Sequence, residues 1–232
     1  QVKKETSVKD KQSQSVKSKD AKTDVKTQIK EISSSKQEES SNTPKPDESE
    51  TVKNTVSPST ESDIISKMEI DRNKKSAKEQ IAKGIIFKNK GDFQNAESCY
   101  KKALELDPEN ADGYNHLGFL YTEFDKNLDI AADLVNKAVQ LNSGDKGYYY
   151  DTLGWIYYKQ GLYQKSKKYI SDALELIPQN DKQALASVYY HLGMVYMKLN
   201  DPNNAFFQFI EVLKLSPNST AAIKSKQQLD LL

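Results

Sequence analysis

Glycine stands at positions 84, 118, 154 and 193, each inside a stretch that otherwise has the spacing of an amphipathic helix. Glycine within a helix costs about 1 kcal/mol relative to alanine, so four such costs at one phase need a common steric cause. Aligning "KEQIAKGIIFKNKGDFQNAESCYKKALELDPEN" with "GYYYDTLGWIYYKQGLYQKSKKYISDALELIPQN" sets Gly84 on Gly154, Phe87 on Tyr157, Gly91 on Gly161 and Phe93 on Tyr163. Further along, Tyr100 meets Ile170, Ala103 meets Ala173 and Pro108 meets Pro178. A second copy carries Tyr114, Leu117, Gly118, Tyr121, Ala131 and Ala138, and a fourth carries Tyr189, Leu192, Gly193, Tyr196, Ala205, Phe209 and Pro217.

The copies start near Ala77, Ala111, Gly147 and Ala186, at spacings of 34, 36 and 39, with short insertions near 125–129 and 179–183. Each copy reads as two helices whose apolar face stays wet until a neighbouring copy covers it. Ala96, Ala131 and Ala205 suit the close approach of the second helix to the glycine; Ser166 takes that position in the third copy. Pro108, Pro178 and Pro217 end the second helices, because proline cannot continue the backbone ladder; Ser143 replaces the proline in the second copy.

This pattern resembles the tetratricopeptide repeat, whose unit is a helix–turn–helix of about 34 residues. The resemblance implies an all-α, right-handed superhelical solenoid of about four helix–turn–helix repeats, over 77–110, 111–146, 147–185 and 186–219, plus a C-terminal capping helix over 220–232. Ser219 is a suitable N-cap for that last helix, with Ile223 and Leu229 able to lie on the final repeat. Ile64, Ile65 and Met68 fall on one side of a run that either extends the first helix backwards or forms a separate helix over the first repeat.

Composition divides the chain at about residue 62. Residues 1–62 contain no aromatic residue and are dominated by polar types, so they bury too little apolar surface to offset the cost of ordering a backbone. We expect a disordered tail or linker there and a repeat domain over 63–232. The net charge of +1, with Arg72 the only arginine, gives no electrostatic basis for nucleic-acid binding. No apolar run is long enough to span a bilayer, so membrane association would come through an anchor preceding Gln1.

Nothing in the sequence suggests catalysis, a cofactor or a metal. Cys99 is the only cysteine, and His116 and His191 lie two units apart at the same helical position. Function is therefore expected in side chains that repeat packing does not use. In the family, the inner face of the superhelix comes mostly from the first helices. By that resemblance the groove is formed by Ile81, Ile85, Asn115, Phe119, Glu123, Tyr148, Asp151, Trp155, Tyr158, Lys159, Tyr190, Met194, Met197 and Lys198. Tyr148, Trp155 and Tyr158 stand out as inner aromatics with no evident packing duty.

An apolar strip of this kind marks an interaction site unless the protein covers it, for instance with its own N-terminal helix. The expected function is a non-enzymatic protein–protein scaffold that binds a peptide or helix. A self-oligomerisation module and the regulatory arm of a larger enzyme are the alternatives. A family variant grips a C-terminal carboxylate through Lys and Asn, but Ile81 and Ile85 stand at the corresponding positions of the first unit, so that binding is not expected. The phrase "DTLGWIYYKQG" resembles ones common in bacterial repeat proteins, including exported lipoproteins that assist envelope or pilus assembly. Together with a Lys/Ser/Thr-rich spacer, it favours an exported, membrane-tethered protein over a cytoplasmic one.

Overall fold

The computed structural model of the chain describes residues 58–141 and 144–232, which fold into nine helices with no strand among them. The expectations for the tail up to residue 57 and for Ser143 lie outside the described residues. The helices are α1 (Pro58–Asn89), α2 (Phe93–Leu106), α3 (Ala111–Glu123), α4 (Leu128–Leu141), α5 (Lys146–Lys159), α6 (Tyr163–Leu176), α7 (Lys182–Lys198), α8 (Pro202–Leu215) and α9 (Thr220–Leu229). Successive pairs form four hairpins that stack into a right-handed superhelical solenoid, and α9 packs on α7 and α8 at its end.

The four glycines set how closely each hairpin closes. A Cβ on Gly84 would lie 2.5 Å from the Tyr100 ring, and one on Gly193 would lie 2.5 Å from the Phe209 ring. At Gly118 it would meet Val135 at 2.5 Å and the carbonyl oxygen of Ala131 at 2.9 Å; at Gly154 it would collide with Ile170. The steric cause is thus the second helix, as expected. The side chains that fill the space, however, are Tyr100, Val135, Ile170 and Phe209, one turn beyond the alanine position. Ala96, Ala131, Ser166 and Ala205 are themselves fully buried.

The turn between the helices of each hairpin holds a left-handed residue at one shared repeat position, and the second turn holds another at Asn127 (φ 50°). The shared position is Gly91 (φ 76°) and Gly161 (φ 77°) in two units, and Asp125 (φ 49°) and Asn200 (φ 57°) in the others. Glycine, asparagine and aspartate are the types that tolerate this conformation. The side chains of Asp92 and Asp201 then cap the second helices by accepting from the backbone N–H of Asn95 and Asn204. Helices α2, α6 and α8 end two residues before Pro108, Pro178 and Pro217, since the residue before a proline is pushed out of the helical region.

At the N-terminal end, α1 is one unbroken helix, so the run around Ile64 extends the first helix rather than covering the first repeat. It begins at Pro58, ahead of the expected boundary at 63; proline suits a first helical position, where its missing N–H is not needed. Residues 62–75 are exposed on every side. The outer face of the first repeat is also polar. Leu120, Ile156 and Val195 pack against the preceding unit and are fully buried, as are Leu117, Leu153 and Leu192 nearly so; their sister positions in α1 are Ile86, 53 % exposed, and Lys83.

At the C-terminal end, the packing face of α9 differs from the expected one. Ala222 and Ser225 are buried against α7 and α8, Leu229 is half-buried, and Ile223 is 57 % exposed. The small side chain of Ala222 packs with Ala186 and Val212 in one buried cluster.

Candidate functional site

The first helices of the four hairpins, together with α9, enclose one continuous concave cavity of about 540 Å³. Because α1 runs straight through Ser76 and leaves its first half in solvent, the N-terminal helix does not cover this groove. Of the residues expected on the strip, Asn115, Phe119, Glu123, Tyr148, Asp151, Trp155 and Tyr190 line it.

The others lie elsewhere. Ile81 is 8 % exposed and belongs to the hydrophobic core, which corrects its assignment to the groove; Ile85 packs half-buried against the same core. Tyr158 sits behind Trp155 rather than on the surface of the cavity. Lys159 turns to Asp125, with Nζ 2.9 Å from its carboxylate. Met194, Met197 and Lys198 fall beyond the cavity, in the second half of α7.

The three inner aromatics do have packing duties, contrary to the sequence expectation. Trp155, 7 % exposed, stacks on Tyr158 at 4.5 Å and 5° and on His191 of the next repeat at 4.3 Å and 19°. Its indole N–H donates to Glu123 of the preceding repeat at 3.0 Å. One side chain therefore links three first helices. Tyr148 donates its hydroxyl to Asp181, the N-cap of α7, at 2.9 Å. Tyr149, to which the sequence assigns no role, is a core residue at 1 % exposure whose hydroxyl donates to Asp112 at 2.9 Å.

Both histidines reach the cavity as well, a part that the sequence alone does not assign them. His191 Nδ1 lies 2.8 Å from the Asp151 carboxylate, an ion pair across the α5–α7 boundary when the ring is protonated. His116 stacks on Tyr100 at 5.6 Å, and burial pushes its pKa down; Asp112 opposes that shift and Lys88 adds to it. Their shared position is a usable signal. Asp151 occupies the fifth place of its unit and His191 the sixth place of the next, so acid and imidazole meet wherever neighbouring units carry those types.

The floor of the groove is thus aromatic and largely preformed, with charges spread along it. At one end Lys88 lies over the Phe119 ring at 4.8 Å, its pKa lowered by burial and raised in part by Glu123. At the other, Lys224 of α9 stands 5.7 Å from the centre of the Tyr190 ring. Ser187 and Thr220 add hydroxyls, and the Asn115 side-chain oxygen is buried without a hydrogen-bond partner. Among the described residues, no group of three or more His, Cys, Asp or Glu could hold a metal ion.

Known proteins carry the same architecture. Residues 84–123 match the family described as TPR repeat, and residues 147–180 and 186–219 match Tetratricopeptide repeat. The chain is 25 % identical over 169 residues to the type IV pilus assembly protein PilF of Pseudomonas aeruginosa, covering 71 % of this chain and 63 % of that protein. It is 30 % identical over 84 residues to the human mitochondrial import receptor subunit TOM70, covering 36 % of this chain and only 14 % of the receptor. The chain therefore spans less than two thirds of each of these relatives. The solved structure of Pseudomonas aeruginosa pilF superimposes with a TM-score of 0.57 at 22 % identity, over 68 % of this chain and 69 % of that one, a likeness of fold. From the glycine-closed hairpins, their stacking and the three matched segments together, the chain carries tetratricopeptide repeats over residues 84–123, 147–180 and 186–219.

Proposed function

We propose that this protein is a non-enzymatic scaffold that holds a peptide or helix of another protein in its concave groove. The observation that carries this reading is the cavity of about 540 Å³ that the described residues leave open across all four repeats, floored by Phe119, Trp155 and Tyr190. Trp155 and His191 are locked by stacking and hydrogen bonds, so the floor needs little reordering when a ligand arrives; such preorganisation limits the entropy lost on binding. Lys88 and Lys224 at the two ends favour a ligand with acidic groups near its termini, and Glu123 and Asp151 favour a basic or N–H-rich centre.

The likeness to a protein named for type IV pilus assembly supports an assembly role. A long polar N-terminal segment would then tether the scaffold to a membrane and raise the local concentration of what it holds. The experiment is a photo-crosslinking residue placed at Ser187 in the groove and, separately, at Ser98 on α2 outside it. A defined partner band from position 187 and none from 98 supports the reading; the reverse pattern contradicts it.

A further inference from the structure

Among the described residues, α9 has no second helix packed after it. In repeat register, α9 is a first helix whose Ile223 takes the place of Tyr114, Tyr150 and Tyr189. Of these, Tyr150 meets Tyr169 on the second helix of its own hairpin, with ring centroids 5.5 Å apart. Among the described residues nothing covers Ile223 in this way, and it is 57 % exposed. Gln227 stands where every hairpin has glycine, so α9 cannot take a close-packed second helix of the usual kind.

The adjoining edge of α8 carries Phe206 where α2 and α6 have polar residues and α4 has Ala132. Phe206 corresponds to Glu97, which accepts from Tyr121 of the next repeat at 2.6 Å, and to Lys167, which lies 4.9 Å from the Tyr196 ring of the next repeat. The ring position of the next unit is Asp230 in α9, so Phe206 is left 46 % exposed and Phe207 beside it 62 %. At the opposite end of the molecule, residues 62–75 of α1 form a helix with no packing partner among the described residues. Ile64, Ile65 and Met68 make a stripe along it, each more than half exposed.

The two surfaces also differ in charge. Along the stripe, over residues 62–73, Asp63, Glu69 and Asp71 outnumber Lys67 and Arg72; on the cap, Lys224 and Lys226 outnumber Asp230. Because α1 is continuous into the first repeat, the stripe is held at the far end of the stack from α9 within one molecule. We propose that the α8–α9 edge is a docking site for the N-terminal half of α1 from a second copy of this chain. Long Ile and Met side chains span the wider gap that Gln227 imposes. The contact is heterologous, each copy offering a helix at one end and an edge at the other, so assembly proceeds head to tail. This surface lies apart from the groove floor, so the groove reading stands or falls separately.

The test uses the full chain and sedimentation velocity over a wide concentration range. One variant carries Ile64→Glu with Met68→Glu, the other Phe207→Ser with Ile223→Ser; all four sites are solvent-exposed, and circular dichroism checks the fold. Wild type is expected to grow in mass with concentration, more so at low salt, and each variant to stay monomeric. An equimolar mixture of the two variants should form a one-to-one complex, because one intact edge meets one intact stripe. A wild type that stays monomeric throughout, a variant that associates like wild type, or a mixture that stays monomeric overturns the proposal. Loss of association on Ser187→Arg alone, with the edge variants unaffected, would place self-docking in the groove instead and also overturn it.

Discussion

The indole nitrogen of Trp155, in the third repeat, donates a 3.0 Å hydrogen bond to Glu123 of the second. Its ring stacks on His191 of the fourth. The chain's single tryptophan is therefore a cross-repeat tie, and the groove floor and the repeat interfaces share one side chain.

Trp155→Ala is expected to cost about 3–5 kcal/mol of stability, as a buried large aromatic does. Chemical denaturation followed by circular dichroism measures it. A loss under about 1 kcal/mol would show that the stacked trio contributes little to repeat coupling.

Gly118→Ala gains helix propensity but adds a methyl 2.9 Å from the backbone oxygen of Ala131, where no rotamer change relieves the contact. Overpacking of this kind costs about 1–3 kcal/mol, more than the roughly 1 kcal/mol that alanine gains over glycine in a helix. The melting temperature should fall; a rise would mean that the hairpin opens readily.

The repeat architecture is legible in the sequence because its constraint is local: the interior glycine and the left-handed turn residue recur at fixed phase in every unit, and the closing proline in three of the four. The state of the groove is less so. Trp155 is surrounded by Tyr158 from its own helix but by Glu123 and His191 from neighbouring units, and a reading that treats each unit alone sees only an inner aromatic. Ile81 misleads for a related reason. It holds an inner position in the end repeat, yet the structure packs it into the core with Ala77 and Tyr114. The burial of Ala222 instead of Ile223 follows from how α9 packs on Ala186 and Val212, contacts that no helical periodicity encodes.

His116 titrates below its ordinary range because burial disfavours the imidazolium. The unfolded chain, with an ordinary imidazole near 6.5, then binds a proton that the native state still refuses. Stability should be level above about pH 7 and fall as pH drops through 6.5 toward the lowered native value. Thermal melts of wild type and His116→Gln between about pH 7.5 and 5 check this, the range in which an imidazole titrates. The substitution should flatten the slope, and an unchanged slope would place the proton uptake elsewhere.

The central claim is that the concave face holds a protein segment. Ser187→Arg fills the cavity from a side chain that is not part of the hydrophobic core, so the fold should persist. With a partner peptide identified by crosslinking, the intrinsic fluorescence of Trp155, the only tryptophan, gives a titration curve directly. The account predicts a saturable change in wild type and an affinity at least about tenfold weaker for Ser187→Arg, at an unchanged melting temperature. Equal affinity for the two proteins would contradict it.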